Sequence, residues 1–220
     1  MQFRLGCVLF LSVWGLTACQ TNKVTPSRKS VTQVMQGFTA ERKLKFCFGR
    51  TSEALSSMSG RAKVDLSALG IDDACLKSML PWLHEQKTMV SLDLSNNKLS
   101  DESLVNLLLD IQDYPIATLN LRKNRLTDAS MSALGGYLRK NTALSSLNLS
   151  GNALGDRGAC ILAMHLKQRS GLDDLNLEKT GIQAEGAACL LQPDASHTLP
   201  KELWLGSNHL AGLSNMDDNP

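Results

Sequence analysis

Cysteine is the residue type with the most chemistry to offer in this chain. There are six: Cys7, Cys19, Cys47, Cys75, Cys160 and Cys189. No two are spaced as C-x-x-C, so the short ligand spacing of a structural zinc site is missing. Disulfide pairing remains, as do burial as a small apolar group and modification of a thiol at a processed terminus. The four histidines, His84, His165, His197 and His209, are scattered along the chain. There is no G-x-x-x-x-G-K-[ST], no H-E-x-x-H and no G-x-S-x-G. No catalytic residue, metal or cofactor is expected, and the chain reads as a non-enzyme.

Composition points to a repeat. The chain has 220 residues, 20% charged and 43% hydrophobic, which suits a packed core rather than a disordered polymer. A net charge of +2 gives no electrostatic case for nucleic acid as the partner. Aromatics are only 5%, which argues against stacking platforms. Leucine fills 39 positions, and such a bias suggests a repeated structural unit.

The first nineteen residues are MQFRLGCVLFLSVWGLTAC. Arg4 precedes an apolar stretch from Leu5 to Leu16, shorter than the roughly 20 residues a membrane-spanning helix needs and suited to a signal-peptide core. Leu16-Thr17-Ala18-Cys19 resembles the lipobox of bacterial lipoproteins. The resemblance implies cleavage after residue 18 and acylation of Cys19, with residues 1–18 as signal peptide. More than one acyl chain makes such anchoring stable, at roughly 0.8 kcal/mol per buried methylene. In the enterobacterial sorting pattern, aspartate after the cysteine retains the protein at the inner membrane. Gln20 stands there instead, which implies the outer membrane of the cell envelope. Residues 19–30 read as the acylated terminus and a polar, flexible tether.

Downstream a period emerges. Met89-x-x-Leu92-x-Leu94-x-x-Asn97-x-Leu99 recurs as Ile116-x-x-Leu119-x-Leu121-x-x-Asn124-x-Leu126. It returns from Leu144 through Asn152 to Leu154, and from Leu172 through Thr180 to Ile182. Leu203-x-Leu205-x-x-Asn208-x-Leu210 opens a last copy, and Val64-x-Leu66-x-x-Leu69-x-Ile71 is a degenerate first. The central position falls at 64, 92, 119, 147, 175 and 203, in steps of 27 or 28. The pattern resembles the leucine-rich repeat, and its length and Leu154-Gly155-Asp156-Arg157-Gly158-Ala159 resemble the ribonuclease-inhibitor class. The resemblance implies an α/β right-handed solenoid of about six repeats, a short horseshoe with parallel strands on the concave face and helices on the convex face. It also implies protein–protein binding.

The residues fit that picture. Alternation in Leu92-Asp93-Leu94 suits a strand with one buried face. Leu104, Leu107, Leu108 and Ile111 have helical spacing, as do Met131, Leu134 and Leu138. Asp72, Asp101, Asp128 and Asp156 precede the helices, where acidic residues favour a helix N-terminus. Asn97, Asn124, Asn152 and Asn208 form a structural row able to satisfy backbone groups at the strand exit. Repeats are expected over 61–216. A cap of a helix and irregular chain is expected over 31–60, and an acidic tail over 217–220. Leu213 and Met216 promise only a thin cap, which leaves the last strand edge open.

Two disulfides are conceivable in an exported chain: Cys47 with Cys75, pinning the cap, and Cys160 with Cys189 on adjacent helices. The latter two differ by one in their offset from the strand, and buried free thiols are the alternative. For binding, the expected residues are those of the concave face: Asp93, Asn120, Arg122, Asn148, Asn176, Glu178 and Trp204. Ser95 and Ser150 are expected to point outward beside them. Trp and Arg are the residue types enriched at hot spots, which singles out Trp204 and Arg122. The expected partner is a protein, with the membrane reached through acyl chains. The alternatives are a structural envelope protein that self-associates through the open edge, and an inhibitor or regulator of an enzyme.

Overall fold

The computed structural model describes residues 60–167, 171–191 and 200–210. The expected cap, the signal segment, the tail, Cys19, Cys47, Leu213 and Met216 lie outside these residues. Within them strands and helices alternate: β1 (Lys63–Asp65), α1 (Asp73–His84), β2 (Ser91–Asp93), α2 (Asp101–Asp110), β3 (Thr118–Asn120), α3 (Met131–Lys140), β4 (Ser146–Asn148), α4 (Gly155–Leu166), β5 (Asp174–Asn176), α5 (Ala184–Leu191) and β6 (Glu202–Trp204). The six strands form one parallel sheet in chain order. Each strand shows its neighbour the same repeat position, so Val64, Leu92, Leu119, Leu147, Leu175 and Leu203 stand side by side. The one 27-residue step falls in the repeat of α2 and does not disturb this register. The result is the α/β solenoid that the period implied.

Each repeat is too small to bury its own apolar face, so the core is continuous across neighbours. The central strand leucines from Leu92 to Leu175 are fully buried, as are Leu104, Leu107, Leu134, Leu138 and Leu162 from the helices. A buried leucine contributes about 1.5–3 kcal/mol relative to an exposed one. Helix spacing is set by small residues. A Cβ on Gly135 in α3 would overlap the ring of His165 in α4, whereas one on Gly136 would meet nothing. Gly135→Ala should therefore cost about 1–3 kcal/mol through overpacking, while Gly136→Ala should gain about 0.5–1 kcal/mol through helix propensity. Urea midpoints of the two variants should move in opposite directions.

The strand exit follows one local rule. Ala68, Asn96, Lys123, Gly151, Lys179 and Ser207 occupy the same repeat position and all have positive φ. The asparagine row comes next. Asn97 Nδ2 donates to Leu66 O and Leu94 O, both at 2.9 Å, and its Oδ1 accepts from Ile71 N at 2.9 Å. Asn124, Asn152 and Asn208 repeat the pattern, each binding its own strand and the one before. Thr180 donates only to Leu177 O of its own repeat, at 2.7 Å, and to Asn208 Oδ1 at 3.4 Å. Leu69 is partly buried against the core of the first repeat.

The acidic residues at the helix starts work differently from the sequence expectation. Asp72 does cap its own helix, accepting from Cys75 N at 2.9 Å. Asp73, Asp101 and Asp156 instead cap the next repeat's helix. Asp73 accepts from Ser100 N at 2.9 Å and the Ser103 hydroxyl at 2.6 Å. Asp101 accepts from Thr127 N at 2.9 Å and from the Thr127 and Ser130 hydroxyls, each at 2.6 Å. Asp156 accepts from Gln183 N at 2.6 Å and Gly186 N at 2.9 Å. Asp128 meets Arg157 Nε at 3.3 Å instead. The reason is geometric: in a stacked solenoid the nearest unpaired helix N–H groups belong to the following repeat.

This capping has a pH signature. Burial pushes the Asp101 carboxyl up, but hydrogen bonds from Ser130 and Thr127 together hold it below its usual range. A depressed folded pKa stabilises fully above the unfolded value of about 3.9 and ceases to do so as pH falls through the folded pKa. Asp101→Asn should therefore lower Tm near neutral pH and lose less than the wild type as pH falls below about 5. Parallel pH–Tm curves for the two proteins would refute the role of Asp101 in this linkage.

Candidate functional site

The strand face is built from the side chains that alternate with the buried leucines. Asp93, Asn120, Asn148 and Asn176 are half-buried there, and Trp204 on β6 is 49% exposed. Their positions are as expected, but their hydrogen bonding is not that of free contact groups. Each short side chain turns back on its own backbone. Asp93 Oδ1 accepts from Ser95 N at 2.8 Å, and Asn120 Oδ1 from Arg122 N at 3.2 Å. Asn148 Oδ1 accepts from Ser150 N and Asn176 Oδ1 from Glu178 N, both at 3.0 Å. Asp65 does the same with Ser67 N at 3.0 Å, and the Ser67 hydroxyl and N–H hold its carboxyl below the usual range. The parallel strand is only three residues long; the first N–H past its end still donates to the neighbouring strand, and these oxygens satisfy the second. Their repetition was read in the sequence as surface; it is also a structural device.

Other expectations for this face need correction. Ser95 and Ser150 are buried rather than outward, whereas the longer Arg122 at the same repeat position reaches solvent. Glu178 is partly buried and covers Gly206, with Oε1 only 2.8 Å from where a Cβ at 206 would sit. Asn120 Nδ2 donates to Asp93 Oδ2 at 2.9 Å, joining two strands. The side chains left for contact are Trp204, Arg122 and the amide of Asn148. Trp204 stands directly beside Asn176 in the register of β5 and β6. At the other row, Asp174 accepts from the Ser146 hydroxyl at 2.9 Å, and Lys201 pairs with Asp173 at 2.8 Å.

The histidines are not brought together. His84 lies at the end of α1, 3.5 Å from Asp110, and the Tyr114 hydroxyl donates to its carbonyl. His165 is on α4 against Gly135, and burial, then Arg139, lowers its pKa. His209 follows β6, and His197 lies outside the described residues. Among the described residues no cluster of His, Cys, Asp and Glu could hold a metal, and no helix is long and apolar enough to cross a membrane.

Cys160 and Cys189 form a disulfide between α4 and α5, with Cα atoms 5.0 Å apart. Counted from the strand they are out of step by one; counted from the first helical residue, each is sixth. Cys75 is also disulfide-bonded, and Cys47 lies outside the described residues.

A family model described as Leucine Rich repeat matches residues 85–108, 116–135 and 140–159. No curated protein matches the chain. Among solved structures, the chain is similar to Leiomodin-1 Actin-Binding Site 2 (ABS2), with 18% identity and a TM-score of 0.49. That similarity covers 57% of this chain and 75% of the other.

Proposed function

We propose that this leucine-rich repeat chain is a lipid-anchored binding protein of a bacterial envelope, and that its strand face holds a protein partner. The observation that carries the binding reading is Trp204. It is a large, half-exposed aromatic on a rigid strand, of the type that anchors protein interfaces. Leucine-rich repeats are commonly used for protein–protein contact, and the length of these repeats, with a helix in each, supports the ribonuclease-inhibitor-like class. Leu16-Thr17-Ala18-Cys19 supports cleavage after residue 18 and acylation of Cys19, with residues 19–30 as tether. The Cys160–Cys189 bridge supports export, because such bonds persist in oxidising compartments. Gln20 favours the outer membrane, and no catalytic role is proposed.

Photo-crosslinking in the native cell tests the binding reading, with probes at Asn120, Asn148 and Trp204 and a control at Met164, exposed on α4. A protein adduct from the strand-face probes alone is expected. Mass spectrometry of the mature terminus tests the anchor, and an unacylated Cys19 would refute it. A second reading rests on β6, which among the described residues pairs on one side only. Adducts solely between copies of the chain would favour self-association through that edge.

A further inference from the structure

Four cations crowd the strand-exit loops of the second and third repeats: Lys98, Arg122, Lys123 and Arg125. All four are exposed, and none makes an ion pair among the described residues. Lys98 and Arg125 directly follow the row asparagines Asn97 and Asn124, so they are the same position in adjacent repeats. The two loops are stitched together by Asn96 N donating to Arg122 O at 2.8 Å and Arg125 N to Leu99 O at 3.0 Å. Neighbouring strands lie about 4.8 Å apart, so the backbone positions that carry the four charges are adjacent and held in fixed register. At the equivalent positions the first and fourth repeats place Ser67, Ala68 and Gly70, and Ser150, Gly151 and Ala153; the fifth has Lys179 beside Glu178, and the sixth Gly206, Ser207 and His209.

The nearby carboxylates keep their charge but are held by other groups, and among the described residues none closes an ion pair with the four cations. Asp93 serves Ser95 N and Asn120, Asp101 caps the next helix, and Asp128 faces Arg157. Asp73 holds Ser100 and Ser103 and also feels the charge of Arg125, without an ion pair between them. Lys123 is held in place as well as charged. It keeps a φ of 51° that glycine would adopt at less cost, and its stem lies over Gly151, where a Cβ would come within 2.9 Å of Lys123 Cγ.

We infer that this basic rim receives an acidic segment of the protein partner, seated where the strand face turns into the helices. The inference rests on the binding reading above and names the chemistry of one part of that surface. An anionic membrane or a nucleic acid fits less well. The strand face carries Asp174, Glu178 and Glu202 toward β6, which an extended polyanion would meet. A short acidic stretch meets only the rim, and like charges outside it are rejected.

The test uses the purified full chain and a fluorescein-labelled peptide of six consecutive glutamates, read by anisotropy. Binding should weaken at least about tenfold in Arg122→Glu/Lys123→Glu and stay within about twofold in Lys179→Glu/Lys201→Glu, with matching circular dichroism and Tm as the folding check. Equal losses in both pairs would overturn the assignment, because net charge alone would then explain them. Peptide binding absent in the wild type would also overturn it. So would phosphatidylglycerol vesicles that bind the wild type while the peptide does not. The strand-face crosslink separates the two readings. A protein adduct that persists undiminished in Arg122→Glu/Lys123→Glu leaves the binding reading standing and removes the rim. No adduct from any strand-face probe removes the binding reading itself.

Discussion

Replacing Asn152 by leucine should cost about 3–9 kcal/mol, more than the same change at Asn97 in the same row. Asn152 is 4% exposed. Its Nδ2 donates to Leu121 O at 3.0 Å and Leu149 O at 2.8 Å, and its Oδ1 accepts from Asn124 N at 3.0 Å and Leu126 N at 3.2 Å. Leucine fills the space and meets none of the four. Leu121 O would keep Asn124 as a donor, but three groups would lose the side chain that satisfies them. Each buried polar group without a partner costs about 1–3 kcal/mol.

Asn97 supplies the comparison. Removing it strands Leu66 O and Ile71 N, while Leu94 O keeps Asn124. Two groups are stranded rather than three, so Asn97→Leu should cost visibly less. Urea denaturation of both variants checks the order. Equal losses would mean that water satisfies these groups, and the ranking by neighbours would fail.

The difference between the two positions explains how far the sequence could be read. The strands, the helices and the asparagine row were legible because each repeat restates them every 27 or 28 residues, and a stacked fold can only use such a period one way. Thr180 was also visible as a departure. What was not legible is what one repeat does for the next. Asp101 looked like a cap for its own helix, because sequence shows distance along the chain and not the nearer N–H groups of the following repeat. Asn120 and Asn148 looked like surface because they alternate with leucine. Their backbone contact two residues on depends on how soon the strand ends. The cysteine pair was ambiguous for the same reason. The strand was the wrong origin for counting, since α4 starts one residue earlier in its repeat than α5 does. Of the contact surface, only Trp204 and Arg122 could be singled out, by residue type; the commitments of their neighbours required the structure.

Loss of the Cys160–Cys189 bridge should be the other large effect, and it should be local. The bridge joins residues 29 apart, and chain entropy gives such a closure about 3–4 kcal/mol. It spans the junction of the fourth and fifth repeats, which is also where the row is broken. Leu149 O has Asn152 but no donor from the next repeat, since Thr180 turns to Leu177 O. Elsewhere from Leu66 to Leu205 the row crosses every junction from the repeat that carries an asparagine to the one before it. The covalent link therefore stands where the row's side-chain link is missing, beside the Asp156 cap that crosses the same junction. In a solenoid each repeat contacts only its neighbours, so a weak junction lets the end repeats open by themselves. Cys160→Ala/Cys189→Ala should lose amide protection over α5 and β6 while β2, β3 and α2 keep theirs. Adding Thr180→Asn should return part of it, because an asparagine there can reach Leu149 O as Asn152 reaches Leu121 O, for about 0.5–1.5 kcal/mol. In the bridged protein the same substitution should matter less to the exchange of α5, since the disulfide already restricts that opening. Hydrogen exchange read segment by segment decides the matter. Uniform loss of protection along the whole chain would show that the repeats unfold as one unit and that this junction is no weaker than the rest.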